Sequence, residues 1–200
     1  MRIIVFVDAN ILAKPVTRTL VLVGSRVNGA EFSVVWSQLA EFEAEHNLKS
    51  ATVSISQIRL RYGFDLSPSG VGSGNYEATA FSDRQILADA FAAGAGLLLT
   101  EDVDDFGLVD LEATGIVAIS PDLFLANYLS ESGYLTAVEA MRWGRPAHLV
   151  HSALGKLHPL LVRKFTYLFP DAEIAQPTHN PPAVLLRGNA DKLDIQLKDQ

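Results

Sequence analysis

The sequence predicts a three-layer α/β/α fold built on a short parallel sheet, and three observations support this. Residues 3–7 (IIVFV) are a continuous apolar, mostly β-branched run that ends abruptly at Asp8, which is typical of a strand buried on both faces. Residues 97–99 and 116–119 are two further short apolar runs of this kind. Helical patterns lie between the runs, and alternating strands and helices favour a parallel sheet covered by helices.

Serine residues mark the starts of the helices in the first half of the chain. We predict helices over residues 37–47, 54–63 and 82–94, each beginning at a serine, whose hydroxyl can accept a backbone N–H at the N-cap. The second has capping-box spacing at its start. Apolar and polar residues alternate at 53–55, so a strand stays open as the alternative there.

From Ser120 onward the pattern becomes helical throughout. Ser120-Pro121 predicts an N-cap followed by proline at the first helical position, and Thr136 begins a second capping box. Regularly spaced apolar residues continue to Pro170, after which prolines and scattered charge favour an irregular tail. We therefore divide the chain into an α/β domain (1–130), a helical C-terminal extension (131–170) and an irregular tail (171–200).

Composition excludes several classes of protein. With 200 residues and 48% apolar content, the chain is able to bury a proper core, so disorder throughout is excluded. It contains no cysteine, which excludes disulfide scaffolds and thiolate zinc sites. We see no signal peptide and no apolar run of about 18 residues, and we therefore expect a cytoplasmic protein without a membrane partner.

The charge is unevenly distributed. A net charge of −7 argues by itself against a nucleic-acid partner, because phosphate binding is mainly electrostatic. However, residues 85–141 contain ten acidic residues and no lysine or arginine, whereas residues 142–170 contain five basic residues and no acid. The stretch 142–170 is therefore a candidate surface for binding phosphate. The distribution of charge along the chain is more informative than the net charge.

Acidic residues converge on one edge of the predicted sheet. Asp8 follows the first strand, residues 100–105 (TEDVDD) follow the strand at 97–99, and Asp83 begins the helix that leads into that strand. Asp8 or Asp83 alone would be explained as a helix-cap residue. Together they predict a cluster whose mutual repulsion a hard divalent cation such as Mg²⁺ or Mn²⁺ would offset.

Four segments resemble one known family in their order and spacing. They are residues 5–12 (VFVDANIL), 37–41 (SQLAE), 83–90 (DRQILADA) and 94–106 (GAGLLLTEDVDDF). Together they resemble the PIN-domain ribonucleases, the fold of the VapC toxins of bacterial toxin–antitoxin pairs, over about residues 2–126. The helical C-terminal extension departs from the plan of those toxins.

The resemblance implies roles for individual residues. It assigns a catalytic quartet (Asp8, Glu41, Asp83 and Asp102), metal ligands (Asp8, Asp83, Asp102 and Asp105) and supporting polar residues (Asn10 and Thr100). Two alternatives stay open. Glu45 lies one helical turn from Glu41 on the same face, and Asp104 competes with Asp105.

The function implied by the resemblance is hydrolysis of RNA phosphodiester bonds with Mg²⁺ or Mn²⁺, in which the metal activates water and stabilises developing charge. It also implies a homodimer and, for a toxin, an antitoxin partner. The alternative is a catalytically silent PIN-like module that binds RNA or protein. A phosphatase of the haloacid dehalogenase type would need a second aspartate at position 10, where the chain has Asn10.

Several basic residues are candidate RNA contacts: Arg18, Arg142, Arg145, Arg163 and Lys164, with Arg26 as a further competitor. The first lies close in sequence to the Asp8 loop, and the others except Arg26 lie in the acid-free stretch. His148 and His151 have the i, i+3 spacing of metal ligands on a helix, but no carboxylate is near them in sequence. We therefore expect them to be ordinary imidazoles.

Overall fold

A computed structural model of the chain describes residues 2–48, 52–178 and 185–189, and it shows a mixed α/β fold. The sheet has five strands in the order β2-β1-β3-β4-β5. Four are parallel: β1 (Ile3–Val7), β2 (Phe32–Val35), β3 (Leu97–Leu99) and β4 (Val117–Ile119). The fifth, β5 (Leu186–Arg187), is antiparallel to β4. The predicted α/β class is confirmed.

Helices make up most of the remaining described chain. They are α1 (Ala9–Leu12), α2 (Pro15–Gly24), α3 (Gln38–His46), α4 (Ile55–Tyr62), α5 (Arg84–Ala92), α6 (Leu108–Thr114), α7 (Pro121–Tyr128), α8 (Glu131–Arg142), α9 (Ala147–Leu154) and α10 (Pro159–Lys164). Within the described ranges, none of them is long and apolar enough to cross a membrane.

The order of the strands reverses at β1. The chain leaves β1 to form β2 on one side and then returns past β1 to form β3 on the other. Because parallel crossovers are right-handed, the helices of the β1–β2 connection and those of the later connections cover opposite faces of the sheet. The reversal leaves a crevice at the carboxyl ends of β1 and β3, where open α/β sheets bind ligands.

The predicted strands at 3–7 and 97–99 are confirmed, and β4 starts one residue later than expected. The helices predicted at 37–47 and 54–63 are also confirmed, because Ser37 and Ser54 accept the N–H groups of Ala40 and Gln57 at their N-termini. The strand considered at 53–55 is wrong. Strand β2 was not predicted, since its run (FSVV) is short and interrupted by a polar residue.

Two of the predicted caps are wrong. Ser82 does not cap α5, because its hydroxyl donates to the Asp83 carboxylate at 2.7 Å instead. Thr136 lies inside α8, and its Oγ1 donates to the carbonyl of Ser132. The helix begins earlier because Ser130 accepts the N–H of Gly133 and so provides the cap.

The predicted helical extension packs directly on the α/β domain, along α2. A Cβ added to Gly24 would lie 2.3 Å from Leu129 Cδ1, and one added to Gly133 would lie 2.9 Å from the same atom. A Cβ at Gly133 would also lie 3.3 Å from Gly24 Cα, so the two helices approach closely at these glycines, and a larger residue at either position would force Leu129 to move. The junction of α9 and α10 contacts the other end of α2, where His158 Nε2 and Thr17 Oγ1 are 3.1 Å apart.

We expect His158 to make the docking of the extension sensitive to acid. Burial lowers its pKa to about 4, below its value in the unfolded chain, so its contribution to stability is present above about pH 6.5 and is lost as the pH falls towards 4. Relative to His158→Gln, which does not titrate, the protein should lose about 2–3 kcal/mol of unfolding free energy over this range. Urea denaturation at several pH values measures the difference. Parallel curves for the two proteins would contradict the prediction.

Part of the tail is ordered against the sheet, which corrects the expectation of an irregular segment at 186–187. Leu186 pairs with Ile119 and Arg187 with Ala118, and the carbonyl of Leu185 accepts the N–H of Ser120 at 2.8 Å. The strand forms because it covers the open edge of β4. Residues 171–178 are irregular as expected, whereas the rest of the tail, 179–184 and 190–200, lies outside the described residues.

Candidate active site

Asp8 occupies the crevice at the end of β1. It is the N-cap of α1, its side chain is 5% exposed, and its Oδ1 accepts the N–H of Ala9 at 2.6 Å. Its Oδ2 accepts from Thr100 Oγ1 at 2.7 Å and from Asn10 Nδ2 at 2.9 Å. These three hydrogen bonds hold the carboxylate in one orientation.

Asn10 links the two strand ends across the crevice. Its Nδ2 lies 2.9 Å from Asp8 Oδ2, 3.0 Å from Thr100 Oγ1 and 3.0 Å from Asp102 Oδ2, so two N–H groups are shared among three acceptors. Its Oδ1 accepts the N–H of Glu101 at 3.3 Å. The residues proposed to support the site, Asn10 and Thr100, therefore connect Asp8 to Asp102.

Further carboxylates lie near this pair, and their charges contribute to the raised pKa of Asp8 and of Asp83. Burial, together with the charges of Asp83 and Glu43, outweighs the lowering effect of the hydrogen bonds from Thr100 and Ala9 and raises the pKa of Asp8 to about 6. Burial also raises the pKa of Asp83, and the Asp105 and Asp102 charges add to this effect. The five side chains thus share one electrostatic field.

This acidic cluster is suited to a divalent cation by its charge rather than by a ready-made set of ligands. Among the described residues, no three histidine, aspartate or glutamate side chains are close enough together to form a metal-binding group. The carboxylates nevertheless repel one another, and a cation bound among them would remove that repulsion. Asp102 is exposed, so its side chain is free to turn towards a cation. All-oxygen ligands fit Mg²⁺ or Mn²⁺.

Glu41 is not among these carboxylates. Its Oε2 accepts from Trp36 Nε1 at 2.9 Å and from Arg59 Nε at 2.8 Å, which makes it one half of a largely buried ion pair between α3 and α4. Glu45, the alternative, accepts the backbone N–H of Ser56 at 2.9 Å. Glu41 thus joins α3 to the middle of α4, and Glu45 joins it to the first turn of α4.

Among the glutamates of α3, Glu43 is the one whose charge contributes to the raised pKa of Asp8, and the sequence did not predict this role. Burial and the charges of Asp83 and Asp89 raise its pKa, and its own charge acts on Asp8. The two glutamates differ because Glu41 pairs with Arg59, which lies eighteen positions further along the chain. No local sequence pattern identifies Arg59 as that partner.

Asp104 and Asp105, the two alternative metal ligands, have different partners. Asp104 Oδ1 accepts from Arg187 Nη2 at 2.9 Å, while Asp105 acts on Asp83. Arg187 Nη1 also donates to the carbonyls of Asp104 and Phe106 at 3.0 and 3.1 Å. Strand β5 therefore holds the loop that carries Asp102 and Asp105.

Of the candidate RNA contacts, Arg18 is excluded by its burial. It is 5% exposed, and its Nη1 donates to the carbonyl of Leu12 at 2.6 Å, where it stabilises the end of α1. Arg142 pairs with Glu139 at 2.9 Å on the surface of α8. Lys164 donates to the carbonyl of Leu129. Arg145 and Arg163 are exposed, as an RNA contact requires.

The histidine pair of α9 does not converge on a common point. His148 is exposed, whereas His151 is buried and its Nδ1 lies 2.7 Å from the Tyr134 hydroxyl. Burial lowers the pKa of His151, which keeps the ring neutral. This arrangement agrees with ordinary imidazoles.

The chain was also compared with known proteins. No protein-family model, no curated protein and no solved structure matches it.

Proposed function

We propose that the protein is a PIN-type endoribonuclease that hydrolyses RNA phosphodiester bonds with Mg²⁺ or Mn²⁺. The best support is a group of four carboxylates at the crevice where the order of the strands reverses: Asp8, Asp83, Asp102 and Asp105. The charge of Asp83 raises the pKa of Asp8, and the charges of Asp105 and Asp102 raise that of Asp83. Open α/β sheets bind their ligands at this point, and clustered carboxylates are the usual means of holding a metal for phosphodiester hydrolysis.

Asp8 and Asp102 would hold the cation, since Asn10 already joins their carboxylates. Asp83, Asp105 and Glu43 complete the ring of negative charge around it. A bound cation supplies a Lewis acid for the phosphate and makes water a better nucleophile near neutral pH. The hydrogen bonds of Asn10 and Thr100 keep the Asp8 carboxylate oriented and limit its rotation.

Asp83 is the residue best suited to accept the proton of the attacking water. Its carboxylate is half-buried, and burial and neighbouring charges raise its pKa. A general base works best when its pKa approaches the operating pH. Ser82 donates to Asp83 Oδ2 at 2.7 Å, which leaves Oδ1 for the water.

The RNA chain needs contacts away from the acids that repel it. Helix α8 packs on α2, with Gly133 beside Gly24 at the end of α2. Its last residue, Arg142, and the following turn with Arg145 belong to the acid-free stretch 142–170. Arg145, with Arg163, supplies exposed positive charge for the phosphates.

The proposed function is tested by incubating short RNAs with the purified protein in Mg²⁺ or Mn²⁺, with excess EDTA as the control. We expect cleavage with either metal and none in EDTA. Expression should also arrest growth if the protein is a toxin, and a homodimer should appear in light scattering. The second candidate, a catalytically silent binding module, is favoured by the lack of a ready-made ligand group among the described residues. RNA binding without cleavage in any metal would establish that module and overturn the nuclease.

Asn10→Ala is expected to weaken Mn²⁺ binding by about 10- to 100-fold, the usual effect of losing a group that orients metal ligands. The substitution releases Asp102 from Asp8 and removes one donor from Asp8 Oδ2. Isothermal titration calorimetry measures the affinity. Asn127→Ala is the matched control, because the Asn127 side chain donates to the carbonyl of Leu123 within α7. Equal affinities of the two variants would contradict the bridging role.

Arg187→Ala is expected to lower the cleavage rate by roughly 10-fold, an effect in the range seen for residues that orient metal ligands. The change removes the donors that hold the carbonyls of Asp104 and Phe106. Arg187→Lys should restore part of the rate, since lysine keeps the charge but not the fork of donors. The check is the single-turnover rate at saturating Mg²⁺, and a rate equal to that of the unmodified protein would show that β5 has no influence on the loop.

A further inference from the structure

A turn with an exposed aromatic ring adjoins the acidic cluster. Phe81 is 87% exposed and lies at the tip of the turn that leads into α5. The N–H of Asp83 donates to the carbonyl of Ala80 at 2.9 Å, and the N–H of Ala80 donates to the carbonyl of Asp105 at 2.7 Å. The turn therefore bonds directly to the loop that carries two of the candidate metal ligands.

The base of this turn is anchored in the interior. Asp110 Oδ2 accepts both the N–H and the Oγ1 of Thr79 at 2.8 Å, and Thr79 Oγ1 in turn accepts the N–H of Gly107 at 3.2 Å. Asp110 and Thr79 are both buried. Because these bonds hold the turn on both sides, the backbone of Phe81 is fixed two residues before Asp83.

Arg84 lies against one side of the Phe81 ring. Its Cζ is 5.6 Å from the ring centroid, and its Nε and Nη2 donate to the carbonyls of Thr79 and Glu77 at 3.1 and 3.0 Å. The guanidinium is thereby held in place as a cation beside the ring. Arg84 is also the last basic residue before the stretch 85–141, which has none.

An exposed, held aromatic ring with an adjacent cation has the chemistry that recognises a nucleobase. Bases stack on phenylalanine rings and on arginine planes, and stacking needs no negative charge to approach the acids. A protein partner would be expected to cover a broader apolar patch, whereas Phe81 is followed along the chain by the polar residues Ser82, Asp83 and Arg84. We propose that Phe81 stacks on the base of a nucleotide adjoining the cleaved phosphodiester and that Arg84 positions the ring. This inference rests on the proposed function.

The test is the affinity for a short single-stranded RNA, measured by fluorescence anisotropy in Ca²⁺ so that binding is followed apart from turnover. Phe81→Ala should weaken binding by about 10-fold, the usual value of one stacked base, and Phe81→Trp should retain it. Phe91→Ala is the matched control, since Phe91 is 54% exposed at the far end of the same helix. A scan of single abasic sites through the RNA should find one position whose loss weakens binding to the unmodified protein but not to Phe81→Ala.

Three results would overturn the inference: unchanged affinity of Phe81→Ala, an equal loss in Phe91→Ala, or no RNA binding by the unmodified protein. Cleavage in Mg²⁺ is measured in parallel. Metal-dependent cleavage with a KM that Phe81→Ala leaves unchanged would preserve the nuclease and sink the stacking role. RNA binding that depends on Phe81, without cleavage in any metal, would support the stacking role and overturn the nuclease function.

Discussion

Asp8→Asn is expected to reduce metal-dependent RNA cleavage by roughly 10²- to 10⁴-fold in kcat. The carboxylate lies at the centre of the hydrogen-bond network and is 5% exposed, so no neighbouring water or side chain replaces it. The amide keeps the shape but supplies neither the negative charge nor the second acceptor. Single-turnover cleavage at saturating Mg²⁺ measures the loss.

Asp171→Asn is a suitable control for this variant, because Asp171 is exposed in the described part of the tail. It should cleave RNA at the rate of the unmodified protein. If Asp8→Asn cleaved RNA at the rate of the unmodified protein, the activity would not depend on this site, and the proposed function would lose its basis.

Asp8→Asn should also change how the free energy of unfolding depends on pH. The pKa of Asp8 is raised from 3.8 to about 6 in the folded protein, so the folded state retains a proton that the unfolded state has lost. Its contribution is therefore fully present below about pH 4 and is lost as the pH rises through 6, a change of about 2–3 kcal/mol in the metal-free protein. Asp8→Asn lacks this loss, and Mg²⁺ should reverse it in the unmodified protein. Urea denaturation with and without the metal provides the measurement.

Glu43→Gln and Glu41→Gln should separate catalysis from stability. Glu43→Gln removes a charge from the acidic cluster, so we expect cleavage to fall by about 10- to 100-fold with no loss of unfolding free energy. Glu41→Gln weakens the bonds to Arg59 and Trp36, and it should cost about 2–3 kcal/mol of unfolding free energy. Its cleavage rate, measured well below the unfolding temperature, should stay near that of the unmodified protein.

The two measurements have to be made on the same preparations, by urea denaturation and by single-turnover cleavage. Glu45→Gln adds a control from the same helix, since Glu45 contacts Ser56 rather than the cluster. If Glu41→Gln lost cleavage without losing stability, the assignment implied by the family resemblance would be correct and Glu43 would be a bystander.

The sheet and most of the helices follow from local sequence. A run such as IIVFV is typical of a buried strand. A serine before an amphipathic segment marked the starts of α3 and α4, but not that of α5, where Ser82 bonds to Asp83 instead. Local signals failed where two caps competed. Thr136 and Ser130 both precede helical residues, and the earlier serine prevailed because the helix gains another turn packed on α2.

The acidic edge was also predictable, because the carboxyl ends of parallel strands meet at one edge of a sheet. Asp8 and Asp102 follow β1 and β3, and these strands are neighbours. The network through Asn10 needed the structure, since its bonds join residues separated by 90 and 92 positions.

The sequence by itself determined the α/β class, the positions of the main strands and the carboxylates at their ends, because each depends on a few consecutive residues. Only the tertiary structure decided that the charge of Glu43 acts on Asp8 while Glu41 pairs with Arg59, that Arg18 is buried, and that Arg187 binds Asp104. In these cases the position of a charged side chain depends on which group, distant in sequence, pairs with it. The energy of a buried charge is set by that partner rather than by its neighbours in the chain.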